Sequence, residues 1–415
     1  MILSEDQEKA LISVRLLQRE FPDGGGVGVI SGYAGTGKTT LLGVLAEQDE
    51  GMLVVTPTGK AAVRAREAGV RAKTIHSWAY EVVEDEETGK LSWGFKADVE
   101  KPGTGYLVVD EASMVGVQTF KDLYTLCKRL NLNLILVGDG FQLPPVETDP
   151  LKKNFSVFSA DFPANFKVTL NTIHRQALDS PIIRASMEIR KGRWVQEALE
   201  VFDFIPDDDL TESALSVWES GGATICHRNA TRHEINRNIR KNLGYPAEGL
   251  MEGEPILVIK NNYKTELYNG EVVDVRSVPT PINTAPHAVR DRYTNCSTYV
   301  NFLSFSVISP AAGEGKVYVA DREVFGTLDQ VGPHVVRREG RSLVNKIWRK
   351  KEDRPDFLHA NLGYCLTCHK SQGSEFPEVL VVIEDSLRLN STDGRRWLYT
   401  AITRAKKKVS LCWRT

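Results

Sequence analysis

The sequence predicts an α/β protein: two doubly wound domains, each built on a parallel sheet, with a small β-rich insertion in the second. Three observations carry that prediction. Apolar, β-branched runs at VGVIS (27–31), MLVVT (52–56), YLVVD (106–110) and LNLILVGD (132–139) alternate with helix-like stretches, the pattern of a parallel sheet covered on both faces. The alternation starts again with FKVTL (166–170), ATICH (223–227), EVLVVIE (378–384) and KVSLCW (408–413). Between them, residues 259–354 change texture to short strand-like pieces with turn residues, YNGEVVDV (268–275), STYVNFLSFSVI (297–308) and GKVYVADREVF (315–325), as in a compact β unit such as a barrel.

These elements divide the chain into a first domain over 1–165, a second over 166–258 and 355–415, and the insertion over 259–354. Within the first domain, EVVEDEETGKLSWGF (81–95) places Thr88-Gly89 between apolar-containing flanks, a β-hairpin signal, and the inserted region is drawn at 81–103. Asp207-Asp208-Asp209 after Pro206 reads as a solvated loop.

Composition bounds the function class. The chain has 415 residues, 41% hydrophobic and 26% charged, values of a globular protein with ample core for an enzyme. The start MILSEDQEKA has no basic n-region followed by an apolar core, and no run approaches the roughly 18 apolar residues of a membrane span. A cytoplasmic protein with no membrane partner is expected. Six sparse cysteines in mostly apolar runs fit buried thiols rather than disulfides, and the three N-x-S/T sequons carry no weight without export. The net charge of −2 argues weakly against an acidic partner such as DNA, but charge is uneven. Segment 337–354 holds eight basic and three acidic residues, and 388–415 eight basic and one acidic. Each is either a phosphate-tracking surface or a solvated face.

The strongest local signal is Gly32-Tyr-Ala-Gly35-Thr36-Gly37-Lys38-Thr39, directly after an apolar strand and before LLGVLAEQ (41–48), which fits a helix; Thr40 between them is counted with the nucleotide site. This is a P-loop in its strand-loop-helix context. Its glycines let backbone N–H groups approach phosphates, the helix presents its positive end, Lys38 reaches the β and γ phosphates, and the Thr39 hydroxyl completes a Mg²⁺ shell. YLVVD-E supplies the acids: Asp110 toward Mg²⁺ and Glu111 toward the attacking water as general base. ATP and Mg²⁺ are therefore the expected cofactors.

Further stretches name the substrate class. Thr56-Pro57-Thr58-Gly-Lys-Ala-Ala, Lys73-Thr-Ile-His76-Ser, Gly138-Asp139-Gly-Phe-Gln142-Leu-Pro-Pro, His174-Arg175-Gln176, Thr367-Cys-His369-Lys370-Ser-Gln-Gly373-Ser-Glu375-Phe and Tyr399-Thr-Ala-Ile-Thr-Arg404-Ala follow one another in this order. Together they resemble the motif set of superfamily 1 DNA helicases, nearest the superfamily 1B RecD-like and Dda-like branch, over nearly the whole chain from Gln7 to Arg404. Cys365-Leu-Thr-Cys368-His369 also spells C-x-x-C-H, a haem-attachment pattern. It lies where this family has a T-x-H-K-S-Q-G stretch, and no second ligand pair at zinc spacing accompanies it. Its cysteines are expected inside, on a strand leading into a functional loop, with oxidation sensitivity as a corollary.

The resemblance implies two RecA-like domains, the insertion being SH3-like, and an enzyme that translocates on single-stranded DNA, in the 5′→3′ direction, and unwinds forks. ATP binding and hydrolysis would close and reopen the two domains. By the same resemblance Gln7 reads the adenine edge, Gly373 and Glu375 join the nucleotide site, and Gln142 senses the γ-phosphate. Arg175 and Arg404 reach the ATP from the second domain as arginine fingers. Thr56, Pro57, Thr58, His76, Thr367 and His369 are implied strand contacts. Trp93 and Phe95 either stack at the fork, as a separating pin, or pack in the core. Expected partners are single-stranded and fork DNA and single-strand-binding or replication and recombination proteins, with a monomer as the working form in a bacterial or phage-infected cell. An RNA-directed or translocase-only ATPase is the alternative.

Overall fold

The computed structural model describes the backbone of residues 3–84, 91–145, 149, 155–174, 179–192, 195–247, 249–262, 265, 267–281, 287–290, 297–300, 302–309, 313–320 and 358–414. The chain divides into two compact units: residues 1–202 with 373–375 and 387–406, and residues 203–372 with 376–386 and 407–415.

The first unit is built on a six-stranded sheet of β1 (Val27–Gly32), β2 (Val54–Thr56), β3 (Ala72–Thr74), β6 (Tyr106–Val109), β7 (Asn133–Gly138) and β8 (Phe166–Leu170), in the order β3-β2-β6-β7-β1-β8. Every pairing in it is parallel. Apolar side chains on both faces explain the continuous runs: Val54, Tyr106, Val108, Ile135 and Val137 join one cluster, and Leu53, Val55, Leu107, Val109, Leu134 and Leu136 another. Helices α1 (Glu5–Glu20), α2 (Lys38–Gln48) and α3 (Gly59–Glu67) connect or flank these strands. The segment FKVTL corrects the sequence expectation: it does not open the second sheet but pairs as β8 along β1, from Gly28↔Phe166 to Gly32↔Leu170. Periodicity reveals a strand but not its neighbour, so a sixth strand of one sheet and a first strand of the next look alike.

Between the helix Ile75–Ala79 and β6, β4 (Tyr80–Glu84) and β5 (Leu91–Phe95) pair antiparallel, with Tyr80 opposite Phe95 and Val82 opposite Trp93. The expected turn at Thr88-Gly89 lies outside the described residues.

The second unit holds the sheet β19-β10-β20-β21-β9, formed by β9 (Asp203–Ile205), β10 (Ala223–Cys226), β19 (Cys365–Thr367), β20 (Phe376–Glu384) and β21 (Ala405–Arg414). Here β10 runs parallel to both β19 and β20, and β21 parallel to β9. After the helix Asn229–Asn242, the described strands between β10 and β19 pair antiparallel. β11 (Pro255–Val258) pairs with β12 (Val272–Asp274) and with β18 (Ala360–Leu362). β16 (Phe302–Ser309) pairs with β13 (Thr280–Pro281) and β17 (Gly313–Ala320), and β14 (His287–Arg290) with β15 (Ser297–Val300). This β-rich part shares one core with the second sheet, since Leu303, Phe305, Val307 and Val317 cluster with Ile256, Val258, Leu380 and Cys412. The basic segment 337–354 lies outside the described residues. Asp207–Asp209 form an exposed 3₁₀ turn rather than a plain loop. No described helix is long and apolar enough to cross a membrane.

Candidate nucleotide and nucleic-acid site

Parallel order brings the carboxyl ends of β1, β2, β6, β7 and β8 to one edge of the first sheet, where open α/β sheets place their ligands. The P-loop leaves β1 there. Gly35 and Gly37 have φ of 80° and 76°, left-handed values that cost an L residue about 1–2 kcal/mol. A Cβ on Gly37 would also lie 2.5 Å from His174 Nε2 and 2.6 Å from Gln7 Nε2. The first amides of α2, which begins at Lys38, lack intrahelical partners and face an anion readily. Lys38 Nζ donates to Gly32 O (2.7 Å) and Tyr33 O (3.0 Å), and the Thr36 hydroxyl to Tyr33 O (2.8 Å). Thr39 is exposed and Thr40 half-buried on the first turn of the same helix.

Gln7 is fully buried beside this loop, brought there by α1. It closes a capping box with Ser4, and its Nε2 donates to Gly37 O (3.1 Å). One of its amide hydrogens is thus spent on the P-loop itself.

The acids follow β6. Asp110 and Glu111 are 8% and 4% exposed, and Asp110 Oδ1 accepts the Glu111 N–H at 2.8 Å. Glu111 stands in the left-handed region, φ 53° and ψ 38°, one of two non-glycine residues with positive φ among the described ones. Burial, then the adjacent Glu111 carboxylate, pushes Asp110 up to about 6, against the pull of Arg64 and Lys38. Burial raises Glu111 too, but Arg64, Arg404 and Lys38 together hold it below the usual carboxylate range. A guanidinium that the sequence reading passed over explains the difference: Arg64 of α3 lies 2.8 Å from Glu111 Oε1 and 3.0 Å from Glu375 Oε1. Glu111 Oε2, Gln142 Oε1 and His174 Nε2 are buried without a hydrogen-bond partner.

The stretch after β7 is tied to the helix Thr392–Ile402 within the same unit. Asp139 is fully buried; Tyr399 donates its hydroxyl to Asp139 Oδ2 (2.5 Å) and accepts the Ala34 N–H of the P-loop (2.9 Å). Thr400 Oγ1 accepts the Leu143 N–H (3.0 Å), so one helix turn touches both the P-loop and the GDGFQ stretch. Arg404 follows two residues after that helix. It is 4% exposed and donates to Thr400 O, Ser374 O and Thr403 Oγ1 at 3.0, 3.3 and 3.3 Å. The sequence reading assigned Arg404 to the second domain, and compactness places it with the P-loop unit. Arg175 lies outside the described residues. Tyr399 and Asp139 were visible only as letters of their motifs, because nothing in a sequence shows that a phenol and a carboxylate 260 residues apart meet.

The expected strand contacts fare unevenly. Thr56 is fully buried with its hydroxyl donated to Thr58 O (2.7 Å), so it shapes the loop instead of facing a ligand. Thr58 caps α3 by accepting the Ala61 N–H, and Pro57 is half-buried. His76 is exposed, its ring 5.3 Å from Tyr80. Phe95 stacks on Tyr80 at 5.6 Å and packs against the core, which is the packing alternative. The Trp93 side chain lies outside the described residues. In the second unit Thr367 is 7% exposed and His369 half-buried; burial, with His227 and Lys370 near, holds His369 below the ordinary imidazole value. Burial, then Arg232, lowers the adjacent Lys370 to about 8, and its Nζ donates to Asn269 Oδ1 (2.8 Å). Cys365 and Cys368 are both fully buried, but only Cys365 lies on β19; Cys368 opens the short helix Cys368–Ser371, so its burial does not come from strand alternation, and burial keeps both thiols from solvent oxidants.

Comparison with known proteins agrees with this geometry. The family described as AAA domain matches residues 3–207, and the UvrD-like helicase C-terminal domain matches residues 362–412. An ATP-dependent RecD2 DNA helicase of Deinococcus radiodurans is 27% identical over 92% of this chain and 46% of that protein. The RecBCD enzyme subunit RecD of Mycobacterium tuberculosis is 28% identical over 92% of this chain and 66% of that protein. These matches support a superfamily 1B helicase of the RecD and Pif1 type. The chain spans about half the length of the first of these relatives and two thirds of the second. A Pif1 helicase from Bacteroides, solved with ADP-AlF3 and single-stranded DNA, shares the fold at 20% identity, with a TM-score of 0.55 over 99% of this chain and 92% of that one. The two units are accordingly α/β and RecA-like.

Proposed function

We propose that this chain is an ATP-driven motor that moves along single-stranded DNA, 5′→3′, and separates duplex at forks. The observation that carries the proposal is the assembly in one compact unit of Lys38, Asp110, Glu111 and Gln142, which follow strands at one edge of a parallel sheet, with Arg404 near Glu111. In this reading ATP phosphates sit against the P-loop amides and Lys38. Asp110 and Thr39 would hold Mg²⁺; a buried carboxylate pushed upward beside a second one is the kind of donor a divalent cation relieves. When bound, that ion supplies charge neutralisation on the phosphate oxygens. Glu111 orients and deprotonates the attacking water, and Arg404 neutralises charge on the transferred group. Opening and closing of the two RecA-like domains converts the cycle into movement, and the β-rich segment, closing as an SH3-like barrel, adds surface for the strand.

Steady-state ATP hydrolysis with and without oligo-dT, at low and moderate salt, tests the proposal. Strong stimulation that vanishes in Lys38→Ala is the expected result. Hydrolysis indifferent to oligo-dT but raised by poly-U would redirect the reading to RNA, whose backbone and base planes the same motifs can grip. Forks with 5′ or 3′ tails then decide polarity.

The β4–β5 hairpin is the proposed pin. With Phe95 held on Tyr80, Trp93, two residues nearer the turn, is the candidate to stack at the junction. A stacked base is worth about 1–3 kcal/mol, comparable with the ~1.4 kcal/mol mean of a duplex step. Trp93→Ala should keep oligo-dT-stimulated hydrolysis and lose fork unwinding; unchanged unwinding would remove the pin.

A further inference from the structure

Arg64 joins three segments of the first unit. It rides on α3, whose first turn is built from the candidate strand loop: Thr58 caps the helix and Thr56 braces Thr58. Its guanidinium fork donates through NH2 to Glu111 Oε1 and through NH1 to Glu375 Oε1. The segment Gly373–Glu375 in turn lies against the start of the same helix. Gly373 has φ 74°, and a Cβ there would fall 2.6 Å from Thr58 Oγ1 and 3.3 Å from Ala61 Cβ. Helix α3, Glu375 and Glu111 therefore form one connected body, and Arg64 is its junction. Six residues, about 9 Å of helix, separate the Thr58 cap from the guanidinium.

The pairing is selective within Glu111. Oε1 is taken by Arg64, while Oε2 is buried with no partner, so the carboxylate is held by one oxygen and presents the other. The left-handed backbone at Glu111 aims that side chain, and Arg64 fixes where it ends. A planar, bidentate group is needed for this task, because an ammonium cannot serve two carboxylates in fork geometry.

We propose that Arg64 is a positioning residue for ATP hydrolysis: it holds Glu111 through one oxygen and, through α3, makes the placement of that carboxylate depend on nucleic acid bound at the Pro57–Thr58 loop. The proposal rests on the reading of Glu111 as the general base. A strand gripping that loop bears on the cap of α3, hence on Arg64, hence on the oxygen that must meet the water. Misplacement by about 1 Å is enough to lower turnover some hundredfold.

The test uses the full chain with Arg64→Ala and Arg64→Lys. It measures kcat and KM for ATP with and without saturating oligo-dT, and oligo-dT affinity by fluorescence anisotropy. Arg64→Ala should reduce the stimulated kcat by about ten- to a hundredfold, with KM and oligo-dT affinity within roughly threefold of the parent. Arg64→Lys, which restores charge without the fork, should fall between and guards against a folding defect in the alanine variant. Wild-type stimulation in both variants overturns the proposal, as does a fall in kcat matched by equal loss of oligo-dT affinity, which would make Arg64 a strand contact. A parent protein that hydrolyses ATP without responding to oligo-dT removes the functional reading itself. A stimulated parent with indifferent variants removes only the role of Arg64.

Discussion

Replacing Glu111 with glutamine should lower oligo-dT-stimulated ATP turnover by about 10²–10⁴, the range for loss of a positioned general base. The substitution is nearly isosteric, so an amide oxygen can still accept from Arg64, and Lys38 and Asp110 keep their surroundings. What disappears is proton affinity at the second atom, the buried, unpartnered Oε2. KM for ATP and affinity for a non-hydrolysable analogue should therefore stay close to the parent, because an interaction made only in the transition state has been removed. A structural role predicts the opposite split. If Glu111 served mainly as the ion partner of Arg64, the loss would appear as a lowered melting temperature with kcat little changed. Near-parental kcat in a folded Glu111→Gln protein would exclude Glu111 as the base.

Glu111 also marks how far the sequence could be read. A P-loop after one apolar strand and an acid pair after another point to candidate residues directly, since each motif is contiguous and follows a strand. The parallel sheets were legible for the same reason, as runs apolar on both faces. Non-local pairings were not legible. FKVTL was correctly read as a strand and joined to the wrong sheet, because register and neighbour are set by packing that periodicity does not encode. Arg64, one residue past the quoted TPTGKAA stretch and Val63, looked like any exposed helical arginine, and only the fold shows its fork between Glu111 and Glu375. Thr56 erred in the other direction. A threonine in a motif invites a ligand contact, whereas its hydroxyl is consumed by Thr58 O two residues away.

Arg404→Ala should be at least as damaging as Glu111→Gln, with turnover reduced about 10³–10⁵, the worth of an arginine finger, or roughly 4–7 kcal/mol of transition-state stabilisation at 1.36 kcal/mol per decade. Its surroundings separate this expectation from a structural ion pair. The guanidinium is 4% exposed, yet its hydrogen bonds go to Thr400 O, Ser374 O and Thr403 Oγ1, which are neutral oxygens. A buried cation held by neutral acceptors is costly unless an anion meets it, and the groups nearby that carry charge, Glu111 among them, belong to the nucleotide site. Its position two residues past the helix that binds Ala34 and Asp139 through Tyr399 keeps it close to the phosphates in this reading. Arg404→Lys should recover little, because lysine restores charge without the planar fork. Melting temperature and analogue binding must be measured beside kcat, since truncating a buried arginine also removes packing. If both variants fold, bind the analogue and turn over within tenfold of the parent, Arg404 is a brace for Ser374 and the helix end, and the charge opposite the γ-phosphate must come from elsewhere, with Arg175 the next residue to replace.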